Sequence, residues 1–289
     1  MSASAVLALP ATVRGKSWRQ IPRHFGVAAG GVMAMALAIV AIAGQTIAPF
    51  DPTAVVARPL QPPQWTHPMG TDNLGRDVFS RVLAGARLSL TTGLVAVVIG
   101  ASLGTLAGVV AGVTGGWTDI VAMRLIDALM AFPGILLALA IAAALGPDLR
   151  NAMIAVGIAW VPTFARLVRA DVLRVKRTSY VEAAQAMGCG PIWLVRRHIL
   201  PNALTPVLVL ASLSLAGAIL AGAALSFLGL GPQPPTPEWG AMLSQSRQYM
   251  RLGWWTMAFP GLAITITVLA ANLLGNGLRD LLDPRLRVR

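Results

Sequence analysis

The sequence predicts an all-α membrane protein with six transmembrane helices, and three observations support this fold class. Of the 289 residues, 56% are hydrophobic and 12% are charged, whereas a soluble domain contains about 25% charged residues. The hydrophobic residues gather in long runs, comparable to the roughly 20 residues that a helix needs to cross a bilayer. Basic residues flank these runs, so the net charge of +12 indicates orientation in a membrane and argues against nucleic-acid binding.

The hydrophobic runs define six spans. In the first span, Ala41-Ile42-Ala43 is similar to a signal-peptide cleavage site. The apolar run before it has about 19 residues, whereas the apolar core of a signal peptide usually has 7–15, so we expect this span to be retained as an anchor. The fourth contains Pro162 and requires Arg166 to snorkel, so hydropathy alone also allows five spans. The predicted spans are Phe25–Ala48, Leu88–Gly112, Ala128–Leu145, Ala152–Val168, Ala203–Gly229 and Trp254–Leu274.

The distribution of basic residues orients these spans. With the N-terminus in the cytoplasm, sixteen Lys and Arg residues fall on the cytoplasmic side and seven outside, as the positive-inside rule requires. The chain then divides into a cytoplasmic tail at 1–24, a first transmembrane helix at 25–49, an extracytoplasmic loop at 50–87, a domain of five helices at 88–278 with a cytoplasmic loop at 169–202, and a cytoplasmic tail at 279–289.

The interiors of the predicted spans carry no Asp, Glu, Lys or His. Ion-driven carriers usually need ionisable groups within the membrane, and a membrane-embedded enzyme needs convergent polar groups there. Both classes are therefore disfavoured, although backbone carbonyls can bind sodium. The second span has a glycine at every fourth position, which predicts close packing against another helix. These glycines are Gly100, Gly104, Gly108 and Gly112.

The cytoplasmic stretch SYVEAAQAMGCGPIWLVRRHILPNA, residues 179–203, predicts two short helices. Ser179 and Glu182 have the spacing of a capping box at the start of the first helix. Gly188 ends that helix, because glycine adopts the left-handed conformation at little steric cost. A Gly-Pro pair then starts the second helix, and Pro201 interrupts it.

A helical hairpin at the membrane face is suited to docking against a partner protein, because it combines hydrophobic, aromatic and basic side chains. Glu182 keeps two interpretations at this point, a helix cap or a contact with that partner. Cys189 is the single cysteine, so an intrachain disulfide is impossible, and its place beside Gly188 is typical of an inert small residue. The docking side chains would be Tyr180, Ile192, Trp193, Arg196, Arg197 and His198.

The same stretch resembles the coupling loop of bacterial ABC importer permeases, whose pattern is Glu-Ala-Ala, three residues, Gly, and a hydrophobic-Leu-Pro ending. Here the pattern is Glu182-Ala183-Ala184, Gly188 and Ile199-Leu200-Pro201. Three further stretches resemble the C-type permease subunit of dipeptide, oligopeptide and nickel importers, and the resemblance covers nearly everything after residue 25. They are HPMGTDNLGRDVFSRVLAGARLSL (67–90), AALSFLGLGPQPPTPEWGAML (223–243) and FPGLAITITVLAANLLGNGLRDLLDPRLR (259–287).

The resemblance implies a type I ABC importer permease fold in the bacterial inner membrane, and alternating access driven by ATP. It implies four protein partners: a homologous permease chain, two ATP-binding subunits and an extracytoplasmic solute-binding protein. Membrane lipid surrounds the spans. ATP and Mg²⁺ would be bound by the partner subunits, so this chain would hold no cofactor or metal and would not be an enzyme. The coupling residues would be Tyr180, Glu182, Ala183, Ala184, Gly188, Ile192, Arg196, Arg197, His198 and Pro201.

The solute class implied is peptides or related small molecules, including dipeptides, oligopeptides, nickel complexes and glutathione. Two positions depart from the family pattern. Gly222 stands where glutamate is frequent, and Asn276 stands where aspartate is frequent. Both belong to predicted spans or their ends, so they bear on gating and on the solute, and leave the protein class unchanged.

Three other motifs have weaker functional interpretations. Gly15-Lys16-Ser17 is similar to the end of a Walker A loop, but the glycine expected five residues earlier is Pro10. The Gly- and Asp-rich segment 70–77 lacks the ligand spacing of an EF-hand, which favours a structural turn over a metal site. The proline-rich loop 233–237 with Trp239 allows either contact with a solute-binding protein or a rigid turn with an interfacial Trp anchor.

Overall fold

The computed structural model describes residues 23–282, and the regular secondary structure in this range is helical. Gly15-Lys16-Ser17, most of the predicted N-terminal tail and the end of the C-terminal tail lie outside the described residues. The helices are α1 (Arg23–Ile47), α2 (Val78–Thr114), α3 (Gly116–Met130), α4 (Gly134–Leu145), α5 (Leu149–Lys176), α6 (Ser179–Ala186), α7 (Pro191–Leu194), α8 (Leu200–Phe227), α9 (Trp239–Ser246) and α10 (Trp255–Leu282), with a π-helical turn at Val195–Ile199 and a 3-10 turn at Arg247–Tyr249.

Five helical segments in the described range are long and apolar enough to cross a membrane, and each corresponds to a predicted span. The second begins at Val78, ten residues before the predicted Leu88, so part of the predicted loop 50–87 is helical. Asp77 caps this helix, because its carboxylate accepts the Ser80 N–H at 2.8 Å. The five segments are Ala28–Ile47, Val78–Thr114, Leu149–Lys176, Pro191–Phe227 and Trp255–Asp280.

The predicted third span, Ala128–Leu145, is wrong as a continuous helix. α3 ends at Met130 and α4 begins at Gly134, and the two helices are bent by 92°. Pro133 explains the break, since its ring disfavours helical geometry at Phe132 and it has no N–H to donate. With 12 residues, α4 is about 18 Å long, too short to cross a hydrocarbon core of about 30 Å alone.

The glycine stripe of α2 lies against α5. All four glycines are buried, and an added Cβ would lie 2.5 Å from the Phe164 Cβ at Gly104 and 2.6 Å from the Ala165 carbonyl oxygen at Gly108. The helix backbones therefore approach too closely for any side chain at these positions. Because α5 is one of the two helices that lead into the hairpin at 179–203, this contact connects the hairpin to the helical body.

On the predicted extracytoplasmic side, segment 70–77 is a hydrogen-bonded turn. The Asp72 carboxylate accepts the backbone N–H groups of Leu74 and Arg76 at 2.8 and 2.9 Å, and the Arg76 Nε at 2.6 Å. Asp77 contacts the ring nitrogen of His67 at 2.9 Å as well as capping α2. Both carboxylates thus have protein partners that account for their burial, which supports the structural interpretation of this segment.

The proline-rich loop 233–237 packs onto the start of α2. Arg81 donates to the carbonyl oxygens of Pro52 and Pro235 at 2.9 and 3.3 Å, which joins the loop after α1 to the proline-rich loop. Trp239 is only 2% exposed, and its indole donates to the Val82 carbonyl at 2.9 Å. The interpretation of Trp239 as an interfacial anchor is therefore wrong, because this side chain belongs to a buried cluster.

Candidate coupling hairpin and solute groove

The first half of the hairpin, α6, ends at Gly188 as the sequence predicts. Gly188 has φ +84°, in the left-handed region. Its N–H donates to the Gln185 carbonyl at 2.9 Å, and the Cys189 N–H donates to the Ala184 carbonyl at 3.1 Å. These two bonds form a Schellman motif, which satisfies the last carbonyls of α6 and fixes the direction in which the chain leaves it.

The second half begins at Gly190 and Pro191 and continues without a break into α8. A π-helical turn at Val195–Ile199 joins α7 to α8, and the Leu200 N–H donates to the Val195 carbonyl. The prediction that Pro201 interrupts the helix is wrong, since Pro201 lies in the first turn of α8. The wider π turn directly before Pro201 accommodates its ring, which would clash with the preceding turn of a regular α-helix.

The predicted capping box of α6 does not form. The cap residue is Thr178, one position earlier than Ser179, and no side chain caps the helix. The Thr178 hydroxyl instead donates to the Val175 carbonyl at 2.6 Å, at the end of α5. Glu182 is exposed, and its carboxylate has no hydrogen-bond partner among residues 23–282. The helix-cap interpretation of Glu182 is therefore wrong, and its contact with a partner stays a prediction.

One face of the hairpin is anchored in the core of the protein. Val181, Ala184, Leu194 and Ile199 are buried in a cluster that also contains hydrophobic residues of α5 and α8. Ala184, a predicted coupling residue, is 4% exposed, so it supports the hairpin from within. Because both halves are fixed to transmembrane helices, a displacement of the hairpin would be transmitted to α5 and α8.

The opposite face, here called the coupling face, presents hydrophobic side chains to solvent. Met187 and Ile192 are 78% and 71% exposed, and Tyr180 and Trp193 are each 47% exposed. A contiguous exposed hydrophobic patch of this kind is typical of a protein interaction site. Met187, which the sequence pattern did not single out, is displayed because it is the last residue before the left-handed Gly188.

An aromatic contact joins the two halves across the coupling face. The His198 ring lies 5.4 Å from the Tyr180 ring and 5.1 Å from the Trp193 ring, measured between centroids. Asn202 donates to the His198 carbonyl at 2.6 Å and approaches the Tyr180 hydroxyl at 3.4 Å. The sequence pattern did not single out Asn202 either, although its position one helical turn after His198 could have indicated a contact between the two side chains.

The charges of the hairpin are predominantly basic. Arg196 and Arg197 are exposed on the second half, and Glu182 is the only carboxylate in residues 179–203. Lys176, just before the hairpin, donates to the carbonyls of Gly112 and Val113 at 3.2 and 3.0 Å, where cations are favoured at the end of α2. The hairpin therefore offers a partner a hydrophobic surface with basic side chains and one isolated carboxylate.

Two ion pairs that the sequence did not reveal connect α3 to α5. Arg169 contacts the Asp119 carboxylate with two nitrogens at 2.5 and 2.6 Å, and Arg166 contacts Asp127 at 2.5 Å. Arg166 thus has a carboxylate partner, so its charge does not depend on snorkelling to the membrane surface. These pairs hold the first part of the broken span beside the helix that leads into the hairpin.

A groove of about 520 Å³, here called the solute groove, lies beside the break between α3 and α4. Its walls come from α4, α5 and α8, and include Gly134, Trp160, Thr163 and Gly217. The Trp160 indole N–H and the Thr163 hydroxyl have no hydrogen-bond partner within the described part of the chain, so both are free to contact an occupant. Non-helical backbone within a membrane protein is tolerated where it lines such a cavity.

A family model described as "Binding-protein-dependent transport system inner membrane component" matches residues 104–288, which include the hairpin and the solute groove. The chain belongs to this family. The permease is 46% identical over 272 residues to the glutathione transport system permease protein GsiD of Escherichia coli O1:K1 / APEC, with 93% of this chain and 90% of that protein covered. It is 43% identical over 293 residues to GsiD of Pectobacterium atrosepticum, with 98% and 97% covered.

The permease also shares its fold with a solved structure, the MetNI methionine ABC transporter in inward facing conformations. The TM-score is 0.56 at 22% sequence identity, and the similarity covers 70% of this chain and 96% of that chain. The prediction of a type I ABC importer permease fold is confirmed. The permease is thus a multi-pass inner membrane protein that acts as a subunit of an ABC transport system.

Proposed function

We propose that this permease forms, with a homologous permease chain, the path by which an ATP-driven importer carries peptides into the cell. One of two ATP-binding subunits would dock on the coupling hairpin of this chain, and a solute-binding protein would deliver the solute from outside. Both chain termini would lie in the cytoplasm, as the distribution of basic residues requires. ATP and Mg²⁺ would be held by the ATP-binding subunits, and this chain would contribute no ATPase site.

The main observation in support of the proposal is that one face of the hairpin is buried and the other is exposed. Its inner face is packed against α5 and α8, while Met187, Ile192 and Trp193 are displayed to solvent. A surface with this arrangement can receive force from a soluble partner and pass it to the transmembrane helices. The Schellman motif at Gly188 and the aromatic contact at His198 fix the relative direction of the two halves.

The residues of the solute groove are candidates to line the translocation path. Its volume of about 520 Å³ lies within the range of about 300–1,000 Å³ that is typical of small-molecule sites. The indole of Trp160 donates and the hydroxyl of Thr163 donates or accepts, which suits the amide groups of a peptide. The residues that line it are uncharged, so the groove would let peptides of different charge pass, and the solute-binding protein would select among them.

The solute class rests on the relatives together with this chemistry. The GsiD proteins are glutathione transport permeases, and glutathione is a tripeptide. We therefore assign dipeptides, oligopeptides and glutathione-like molecules as the solutes, with nickel complexes as a further member of the sequence-derived class. Uptake of radiolabelled glutathione, dipeptide and nickel by cells that express the complete importer distinguishes these solutes.

Ile192→Glu tests the coupling role directly. The added charge would be buried against the ATP-binding subunit, at a cost of roughly 2–4 kcal/mol if Ile192 is a central contact. We expect at least tenfold less co-purified ATP-binding subunit at equal membrane expression, with loss of uptake. Gln185→Glu is the matched control, because it adds the same charge at an exposed position of the same hairpin. Normal assembly of Ile192→Glu would contradict the proposal.

A further inference from the structure

A second groove, here called the lipid groove, has a volume of about 500 Å³ and lies between α1, α2, α8 and α10. Two threonines line it, but their hydroxyls are already bonded within their own helices. Thr91 donates to the Arg87 carbonyl and Thr267 to the Ala263 carbonyl, each at 2.8 Å. The lipid groove thus presents an almost entirely apolar wall, in contrast to the free indole and hydroxyl groups of the solute groove.

One charged side chain lines the lipid groove. Arg87 is exposed, and no carboxylate lies within 4 Å of it among the residues that the structure describes. It directly precedes Leu88, where the hydropathy pattern predicts that the second span enters the membrane. At this predicted outer boundary of the hydrocarbon core, Arg87 would have anionic lipid headgroups within its reach.

The dimensions of the lipid groove fit a hydrocarbon chain. Its wall on α1 extends from Ala34 to Ile42, which corresponds to about 12 Å along the helix. A peptide in this groove would leave its amide groups without hydrogen-bond partners, whereas an acyl chain has none to satisfy. An apolar channel that ends at an unpaired cation is complementary to a lipid with a negatively charged headgroup.

We propose that the lipid groove binds an anionic phospholipid of the outer leaflet, with one acyl chain between α1 and α10 and the phosphate group against Arg87. The surrounding bilayer is as apolar as the groove, so the acyl chain by itself gains little from entering it. Preference for one lipid over another must therefore come from the charge of Arg87. Bound lipid would fill the space between α1 and the rest of the spans.

The test is lipid retention by the complete importer, purified from nanodiscs that contain equal amounts of phosphatidylglycerol and phosphatidylethanolamine. We expect wild-type protein to retain phosphatidylglycerol preferentially, as measured by mass spectrometry of the lipids that remain after detergent washing. Arg87→Gln should lower this preference about fivefold, the contribution of one basic residue near an anionic surface. Arg247→Gln is the matched control, because Arg247 is also exposed on the predicted outer side but does not line the groove.

A second variant separates the lipid from a protein occupant. Ala38 is an exposed residue in the wall of the lipid groove, and Ala38→Phe would fill the space with a ring. We expect Ala38→Phe to abolish lipid retention while the second permease chain still co-purifies. Loss of that chain would assign the groove to a partner helix and overturn the proposal, as would equal lipid preference in wild-type protein and Arg87→Gln.

Discussion

Replacing Gly188 by valine isolates the backbone geometry of the coupling hairpin. An added Cβ at Gly188 would have no heavy atom within 4 Å, so the substitution causes no steric clash with the rest of the protein. The φ of +84° is nevertheless unfavourable for a residue with a side chain, at a cost of about 1–2 kcal/mol and more for a β-branched one. The substitution therefore raises the free energy of only the conformation in which the two halves lie at their observed angle.

The expected consequence is a redistribution of hairpin conformations. A penalty of about 1–2 kcal/mol lowers the population of the observed conformation, relative to its alternatives, by a factor of roughly 5–30. The two halves of the coupling face would then meet the ATP-binding subunit at the wrong angle. We expect uptake and co-purification of that subunit to fall together in Gly188→Val, at equal membrane expression.

Gly188→Asn is the matched control, because asparagine adopts the left-handed conformation more readily than other residues with a side chain. It adds a side chain to the same open space, and we expect it to retain most of the uptake and assembly. Wild-type uptake and assembly in Gly188→Val would show that force transmission does not depend on the angle fixed at this glycine.

Four other features of the permease can be tested by substitution, labelling or binding measurements. Glu182→Gln should reduce uptake, because it removes the charge proposed to contact the ATP-binding subunit. Membrane insertion should stay normal, since no capping bond within the described residues depends on this carboxylate, and unchanged uptake would rule out a charged contact there. Cys189 should react only with thiol reagents that reach the cytoplasm, and labelling of intact cells by an impermeant reagent would invert the proposed orientation. Gly104→Val should lower the melting temperature of the purified permease, because its Cβ would lie 2.5 Å from the Phe164 Cβ and overpacking costs about 1–3 kcal/mol. Gly31→Val is the control and should leave the melting temperature unchanged, since no atom lies within 4 Å of an added Cβ there. The purified permease without its partners should show no saturable binding of ATP in equilibrium dialysis, and tight specific binding would contradict the assignment of ATP to other subunits.

Gly222 illustrates how a departure from the family pattern acquires a physical meaning. It is buried on α8, and an added Cβ would lie 2.7 Å from the Thr92 Cγ2 on α2. A glutamate at this position would therefore have to displace the Thr92 methyl group. Asn276 is exposed on α10, so its exchange for aspartate meets no such restriction. Gly222 therefore leaves the space on α8 that the Thr92 methyl group of α2 occupies.

The approximate positions of five spans and the end of α6 followed from the sequence, because their causes are local. A bilayer requires a continuous apolar run of defined length, and the positive-inside rule depends only on which residues flank that run. Gly188 was equally predictable, since the preference of glycine for the left-handed conformation is a property of one residue. The break at Pro133 had a local signal as well, which the apolar run around it obscured.

The start of α6 and the role of Trp239 could not be assigned from their sequence neighbours. Thr178 takes the cap position because its hydroxyl closes the end of α5, and this choice moves the register by one residue from the predicted Ser179. Trp239 sits beside a proline-rich loop, as an interfacial anchor would. It is buried because Val82, 157 positions away, supplies the acceptor for its indole.

The apolar runs, their flanking residues and Gly188 were sufficient to predict that the chain crosses a membrane, its orientation there, and the position of a helical hairpin between two spans. Only the folded structure shows which side chains of that hairpin are exposed, which ones hold it to α5 and α8, and where the two grooves lie. It also supplied the Asp119–Arg169 pair, whose members are 50 positions apart. Hydropathy and turn preference act on neighbouring residues, whereas exposure, ion pairing and cavity shape arise only when distant segments meet.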